Sequence, residues 1–303
     1  MIFFSQLSAI KTIKDLPKTI DLSRFSLYNS RMSFTISVDG ACDTDYEQLK
    51  GFGVKYKKNL YKLDGEPTKD NLIMESDYDS LCASLDDGAV LSCVPLTRQG
   101  YEDFFDTILE RGEKSIIHIC VGSKIAKNHD ECVRAVKMEM LKFPKTEIYV
   151  VDSGSFSVGL RPLIDLALRL RDEGLSAGET FIALNEKLSG ITTLVAPSNL
   201  DKLVKNGLVP SSLVVGNSLS LLPLFEVKEG KFSLLSRSKG YASLSQKILK
   251  EAKNAKAVFV SHSGTLAPTR GVHKVAPTEI SRMALFSTHL VGTNSVIIAI
   301  EKY

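Results

Sequence analysis

The sequence predicts an α/β protein in two parts. A three-layer α/β/α parallel-sheet domain comes first, followed by a second α/β domain with a mixed sheet. From Phe34 to Asp152, short β-rich apolar runs alternate with helical patterns, the rhythm of βαβ units. Those runs are continuous in their apolar character, as suits strands buried on both faces of a parallel sheet. After about residue 157 the rhythm changes to two helical stretches and then a succession of β-rich pieces.

Taken in order, the expected strands of the first part are "FTISVD" (34–39), "AVLSCV" (89–94), "SIIHICV" (115–121) and "EIYVVD" (147–152). Helices are expected over 97–111 and 130–143, the second with Val133, Val136, Met140 and Phe143 on one face and Asp130 as its cap. "SVGLRPLIDLALRLRDEG" reads as a helix closed by Gly174, and "SAGETFIALNEKLSG" as another begun by Ser176. Strands are then expected near 191–196, 224–236, 256–262 and 294–301, with a hairpin turning at Glu229-Gly230. Further helices are expected around 198–206, 241–253 and 278–286. The parts run from 32 to 156 and from 157 to 303, with no flexible linker between them and hence a tight cleft. Residues 1–31 lack the basic start and long apolar centre of a secretory signal. Either Met32 is the native start or these residues form an appendage outside the main fold.

Composition narrows the function. The chain of 303 residues is 44% apolar and 24% charged, with a formal net charge of +3. That charge, with no dense Lys/Arg block, excludes a nucleic-acid footprint. No apolar run approaches the roughly 20 residues of a membrane span, so no stable insertion is expected. The five cysteines (Cys42, Cys82, Cys93, Cys120 and Cys132) show no C-x-x-C spacing, which points to reduced thiols in a cytoplasm. The five histidines have no H-E-x-x-H or comparable pattern, and no metal or cofactor is expected. His118, alternating within a strand, reads as a core histidine. Nucleophile-elbow, Walker and complete dinucleotide motifs are absent, which sets aside a hydrolase built on His262 or His289 and leaves no catalytic residues.

In an open parallel sheet, ligands meet the carboxyl ends of the strands. Here those ends read "SCVPLT" (92–97), "VGSKIAKNH" (121–129) and "VDSGSFS" (151–157). Their hydroxyls and backbone N–H groups suit a carboxylate or phosphate, although Ser, Gly and Asn also serve as plain turn residues.

The order of "SVDGACD", "SCVP", "VGSKIAKNH", "VDSGSFSVGL", "LDKLVKNGLV", "LLPLFEVKEGK", "LSRSKGY" and "STHLVGTN" resembles the DegV family, in a diverged form covering about residues 33–303. The resemblance implies a three-layer domain, a second domain with a mixed sheet, and a long-chain fatty acid held in the cleft between them. It also implies a non-enzymatic, monomeric carrier, with some members presenting the bound carboxylate to a separate fatty acid kinase. Matched to the family's segments, Asp39 keeps the aspartate of T-D-S, and Ser92 and Pro95 keep two positions of T-S-Q-P-S. Gly122 and Ser123 fall on the paired serines of S-S-x-x-S-G-T, with Asn128 on its threonine. Asp152 and Ser153 match V-D-S, Arg237 falls at the arginine after the hairpin, and His289 matches the histidine of H-T-G-P-G. Leu208 stands where G-G-R-I has arginine. The implied lipid-binding residues are Ser92, Ser123, Asn128 and His289, supported by Asp152, Ser153 and Arg237. The alternative is a diverged relative that has lost the fatty-acid site and binds another small anion or acts through protein contacts.

Overall fold

Five residues buried on every side, Thr35–Asp39, make the first strand, β1. Ile36 and Val38 on one face, and the equally buried Thr35, Ser37 and Asp39 on the other, place it in the middle of a sheet covered on both sides. The computed structural model describes residues 34–68, 75–215 and 221–303, so the expectations for residues 1–31 lie outside the described residues. Asp45 caps the next helix, α1 (Tyr46–Gly51), its carboxylate accepting from the amides of Glu47 and Gln48. Three short strands follow: β2 (Lys55–Lys57), β3 (Leu60–Leu63) and β4 (Glu66–Thr68). Next come α2 (Glu75–Asp86), β5 (Leu91–Val94), α3 (Arg98–Leu109), β6 (Ser115–Cys120), α4 (Asn128–Lys142) and β7 (Glu147–Asp152).

Strands β2, β1, β6 and β7 form a parallel sheet in that order. The expected strand at 89–94 is present as β5 but belongs elsewhere: it pairs antiparallel with β3, which also pairs with β4. The reason is spatial. β1 and β6 pair directly, Ser37 opposite His118, so the parallel sheet has no slot between them. An apolar run signals a strand without naming its neighbour. Helix α4 starts at Asn128, two residues before the expected cap. Asp130 instead sits in its first turn, where the helix dipole favours an acid.

After β7 a tight turn over Ser157–Leu160 leads into α5 (Arg161–Asp172), and Gly174 follows at φ +85°. Helix α6 (Ala177–Lys187) opens with a complete capping box between Ser176 and Glu179. Leu160, Leu163, Ile164 and Ala167, with Ala177 and Leu184 of α6, pack against Ile36, Val38, Ile117, Ile119 and Val151. Tyr101, Phe105 and Ile108 of α3, with Cys132, Ala135 and Val136 of α4, cover Ile116, Cys120 and Ile148. Those two apolar clusters make the α/β/α layers, with residues 161–187 supplying one whole layer.

The chain then enters a six-stranded sheet at β8 (Ile191–Ala196). Helices α7 (Asp201–Lys205) and α8 (Ser212–Val215) precede the hairpin of β9 (Leu222–Lys228) and β10 (Lys231–Ser238). Helix α9 (Gly240–Ala252), β11 (Ala257–His262), β12 (Thr278–Arg282), α10 (Leu285–Val291) and β13 (Val296–Glu301) complete the chain. The strand order is β10-β9-β8-β13-β11-β12, antiparallel throughout except for β11 with β12. The expected helix over 278–286 is divided: Thr278–Arg282 takes the free edge of β11, and α10 begins at Leu285. A strand edge offering five paired positions outweighs weak helical periodicity. Leu194, Val258, Val260, Ile298 and Ile300 face Leu244 and Ile248 of α9. The alternate residues Val195, Phe259, Ile297 and Ala299 enter a cluster with Phe156, Leu91, Val121 and Leu290. The mixed sheet, the β3–β5 ribbon and the loops that follow β1, β6 and β7 therefore share one apolar interior. Among the described residues, no helix is long and apolar enough to cross a membrane.

Candidate functional site

Each sequence-derived candidate lies at a strand end or on an element packed against one, but they fall into separate groups. Ser123 follows β6, and its amide donates to Asp152 Oδ1 at 3.0 Å, as does the amide of Gly154 at 3.0 Å. Burial alone would raise the Asp152 pKa; its bonds with Ser123 and Gly154 outweigh that and hold it below the ordinary carboxylate value. Ser153 Oγ donates to the Ser155 carbonyl at 3.0 Å and accepts from the Ser155 amide at 3.1 Å. Ser123, Asp152 and Ser153 thus come together, around a cavity of about 620 Å³ that Lys124, Thr193 and Glu229 also line.

Ser92 and His289 form a second group. Ser92 lies on β5 with its hydroxyl 3.4 Å from the Lys62 carbonyl, and His289 Nδ1 lies 3.0 Å from the carbonyl of Leu91 next door. Leu91 and Leu290, their sequence neighbours, are buried in the shared apolar cluster. Asn128 stands apart from both groups. Its amide donates to Asp39 Oδ2 at 3.2 Å, and Asp39 also accepts from the Tyr101 hydroxyl at 2.6 Å and the Val121 amide at 3.0 Å. Arg237, on β10, donates to the Leu213 carbonyl at 3.1 Å, while its buried Nε has no partner.

The loops are also drawn together by backbone alone. The Gly122 amide donates to the Ser155 carbonyl at 2.7 Å, and the Gly230 amide to the Gly154 carbonyl at 2.7 Å. A Cβ on Gly122 would lie 2.8 Å from the Gly154 carbonyl carbon, and one on Gly230 would lie 2.8 Å from Lys124 Cβ. Where the resemblance puts a serine, then, this chain needs a glycine to let two loops touch.

Sequence reasoning missed two features. Asn59, between β2 and β3, is buried at 2% exposure with both amide atoms unpartnered. In "KKNLY" it reads as a turn residue. Asp43 is also buried, accepting from Ser157, Ser261 and Ser287 hydroxyls and from the Ala284 amide. Its partners are too far away in sequence for any motif to show them.

A parallel sheet with hydroxyl-bearing strand-end loops, packed through those loops against a larger mixed sheet, defines a two-sheet α/β protein. The profile described as "Uncharacterised protein, DegV family" matches residues 33–298, and the chain belongs to the DegV family. The DegV domain-containing protein YteA of Lactococcus lactis is 24% identical over 248 residues, which is 77% of this chain and 83% of that protein. A second relative, from Clostridium perfringens, is 21% identical over 238 residues, 76% of this chain and 81% of its own. Among solved structures, a Thermus thermophilus DegV family protein described for its fatty acid binding superposes with a TM-score of 0.78 at 17% identity, covering 90% of this chain and 100% of that one. The Streptococcus pneumoniae Fatty Acid Kinase (Fak) B3 protein, loaded with linoleic acid, gives 0.75 at 17% identity with the same coverage. At these identities the likeness establishes the fold.

Proposed function

We propose that this chain binds a long-chain fatty acid in the cleft between its parallel-sheet and mixed-sheet parts, without catalysing a reaction on it, and presents the carboxylate to a separate fatty acid kinase. The observation that carries the reading is the apolar cluster joining both parts, with Ser92 and His289 flanked by its members Leu91 and Leu290. An apolar interior edged by a hydroxyl and an imidazole matches an acyl chain with a polar head. Family membership and neighbours of the same fold that carry linoleic or stearic acid support it. Burying a C16-type chain contributes on the order of 10 kcal/mol, at about 0.8 kcal/mol per CH₂, before the cost of ordering it. Ser92, Ser123 and His289 would hold the head, with Asn128, Asp152, Ser153 and Arg237 shaping the loops. The protein acts as a cytoplasmic monomer.

One observation favours a second reading. The Ser123 amide, Asn128 amide, His289 Nδ1 and Arg237 Nη2 are already engaged within the protein, and Gly122 closes the first loop onto Gly154. A site so tightened would take a different small anion, or serve protein contacts instead. Native mass spectrometry of protein purified from a bacterial host, with organic extraction of anything released, separates the two. A stoichiometric fatty acid whose affinity drops in Ser92→Ala and Ser123→Ala supports the carrier. Protein that emerges empty and takes up no added fatty acid overturns it in favour of the second reading.

A further inference from the structure

Strand β6 and helix α4 bring three soft donor atoms together behind the loop that carries Ser123. His118 and Cys120 are two residues apart on β6 and so share a face. Cys132 stands on the buried face of α4 with Ala135 and Val136. A ring nitrogen of His118 and the Sγ atoms of Cys120 and Cys132 all lie within 4.8 Å of one another. All three residues are fully buried, and among the described residues this is the one such cluster of His, Cys and acid groups.

Buried cysteine is often just a small apolar residue. The histidine makes this trio different. Its Nδ1 lies 2.9 Å from Ser37 Oγ, which is in turn 3.4 Å from the Ile117 carbonyl. With Nδ1–H donating to Ser37, the serine donates its own hydroxyl proton to Ile117, and the Nε2 proton, held by Asp39, is the one that an ion at Nε2 displaces. Such a held outer nitrogen is the usual support of a metal-binding imidazole. Asp39 Oδ1 lies 3.3 Å from Nε2, so a carboxylate already fixed by Tyr101, Val121 and Asn128 adds negative charge beside the donors.

We propose that His118, Cys120 and Cys132 form a binding site for a zinc-class divalent cation. Two sulfurs and one imidazole are a zinc-type donor set. Tetrahedral bonding places donors roughly 3.5–3.8 Å apart, so the side chains draw in by at most about 1 Å. On binding, both thiol protons and the His118 Nε2 proton leave to solvent, and two thiolates meet the ion's two charges; no oxidant or reductant takes part. The ion enters as α4 docks on β6 during folding. It ties the start of α4 to the end of β6 and so holds residues 121–127, the candidate head-group loop, at both ends. The H-x-C pair and a cysteine on the following helix match no short zinc spacing, so no local motif marks the site.

The test uses the full chain purified from zinc-supplemented culture, with metal measured by elemental analysis, and the same chain exchanged into Co²⁺. The expected result is about one zinc per chain, a thiolate-to-cobalt charge-transfer band, and affinity weakened at least about tenfold in Cys120→Ser and Cys132→Ser but kept in Cys82→Ser. The cobalt band needs no variant, so it decides the matter even if a substituted chain misfolds. Wild-type protein holding no zinc and showing no charge-transfer band overturns the proposal. So does a zinc content equal in wild type and in both cysteine variants.

Discussion

A carbonyl oxygen can only accept a hydrogen bond, so the 3.0 Å contact with Leu91 fixes the His289 proton on Nδ1. Burial lowers the ring's pKa; the Leu91 bond opposes this, while the charges of Lys202 and Lys205 push it further down. His289 is therefore neutral near pH 7, and its Nε2 is an acceptor. A carboxylate, itself only an acceptor, gains a bond from Nε2 only when the ring takes up a second proton. Fatty-acid affinity is thus expected to tighten as pH falls below the ordinary histidine value of about 6.5. The folded state itself binds this proton less readily than the unfolded chain, so the same titration removes stability as pH drops through that window. His289→Gln, whose amide donates at any pH, should flatten the affinity profile. Displacement of a fluorescent fatty acid across the pH range tests it; parallel profiles for wild type and variant would rule out a His289–carboxylate contact.

At the scale of elements, the β9–β10 hairpin ties the two sheets together through its turn. Glu229 and Gly230 both have positive φ, 49° and 73°, the backbone that a two-residue hairpin turn demands. The turn was legible because Glu-Gly stands between two apolar runs. What it rests on was not legible. Gly230 leaves 2.8 Å between a would-be Cβ and Lys124 Cβ, and Gly154 leaves 3.1 Å to Glu229 Cα. These are contacts between segments far apart in sequence, which periodicity does not encode. The same limit explains why residues 89–94 are legible as a strand while their sheet is not, and why strand-end residues such as Ser123 and Asp152 are legible as candidates while the buried Asn59 is not. Two glycines separate the effects. Gly65, at φ +89° in the β3–β4 turn, has nothing within 4 Å of its would-be Cβ. Gly65→Ala should cost only the left-handed strain, about 1–2 kcal/mol. Gly230→Ala carries the same strain and adds steric overlap, about 1–3 kcal/mol more. Urea unfolding should show a lower midpoint for Gly230→Ala at an unchanged slope. Equal losses in the two variants would mean that the hairpin tip does not press on Lys124.

At the scale of the whole molecule, Asp43 joins segments far apart in the chain. This one carboxylate accepts from Ser157 at 2.5 Å in the turn before α5, from Ser261 at 2.7 Å on β11, and from Ser287 and the Ala284 amide at 2.8 and 2.9 Å at the start of α10. It therefore links the end of the first strand to both edges of the crossing into the mixed sheet. Burial raises its pKa from 3.8 to about 6, with the hydroxyls and the amide pulling the other way. The folded chain then binds this proton more readily than the unfolded one. The sign follows: the stabilising contribution is fully present below about pH 4 and is lost as pH rises through about 6, to a total on the order of 3 kcal/mol. Glu139, raised to about 7 by burial and by Asp106, acts in the same direction, so the pH dependence of wild type alone does not isolate Asp43. Asp43→Asn does. Asparagine tolerates the positive φ of 47° at this position and is neutral at every pH. The difference in unfolding free energy between wild type and Asp43→Asn cancels Glu139 and every other common group. It should move against wild type as pH rises from about 4 to about 7 and then level off. A difference that stays constant over that range would mean that the three serines and the amide solvate the buried carboxylate as well as water does, and that the join between the two sheets is held equally at all physiological pH.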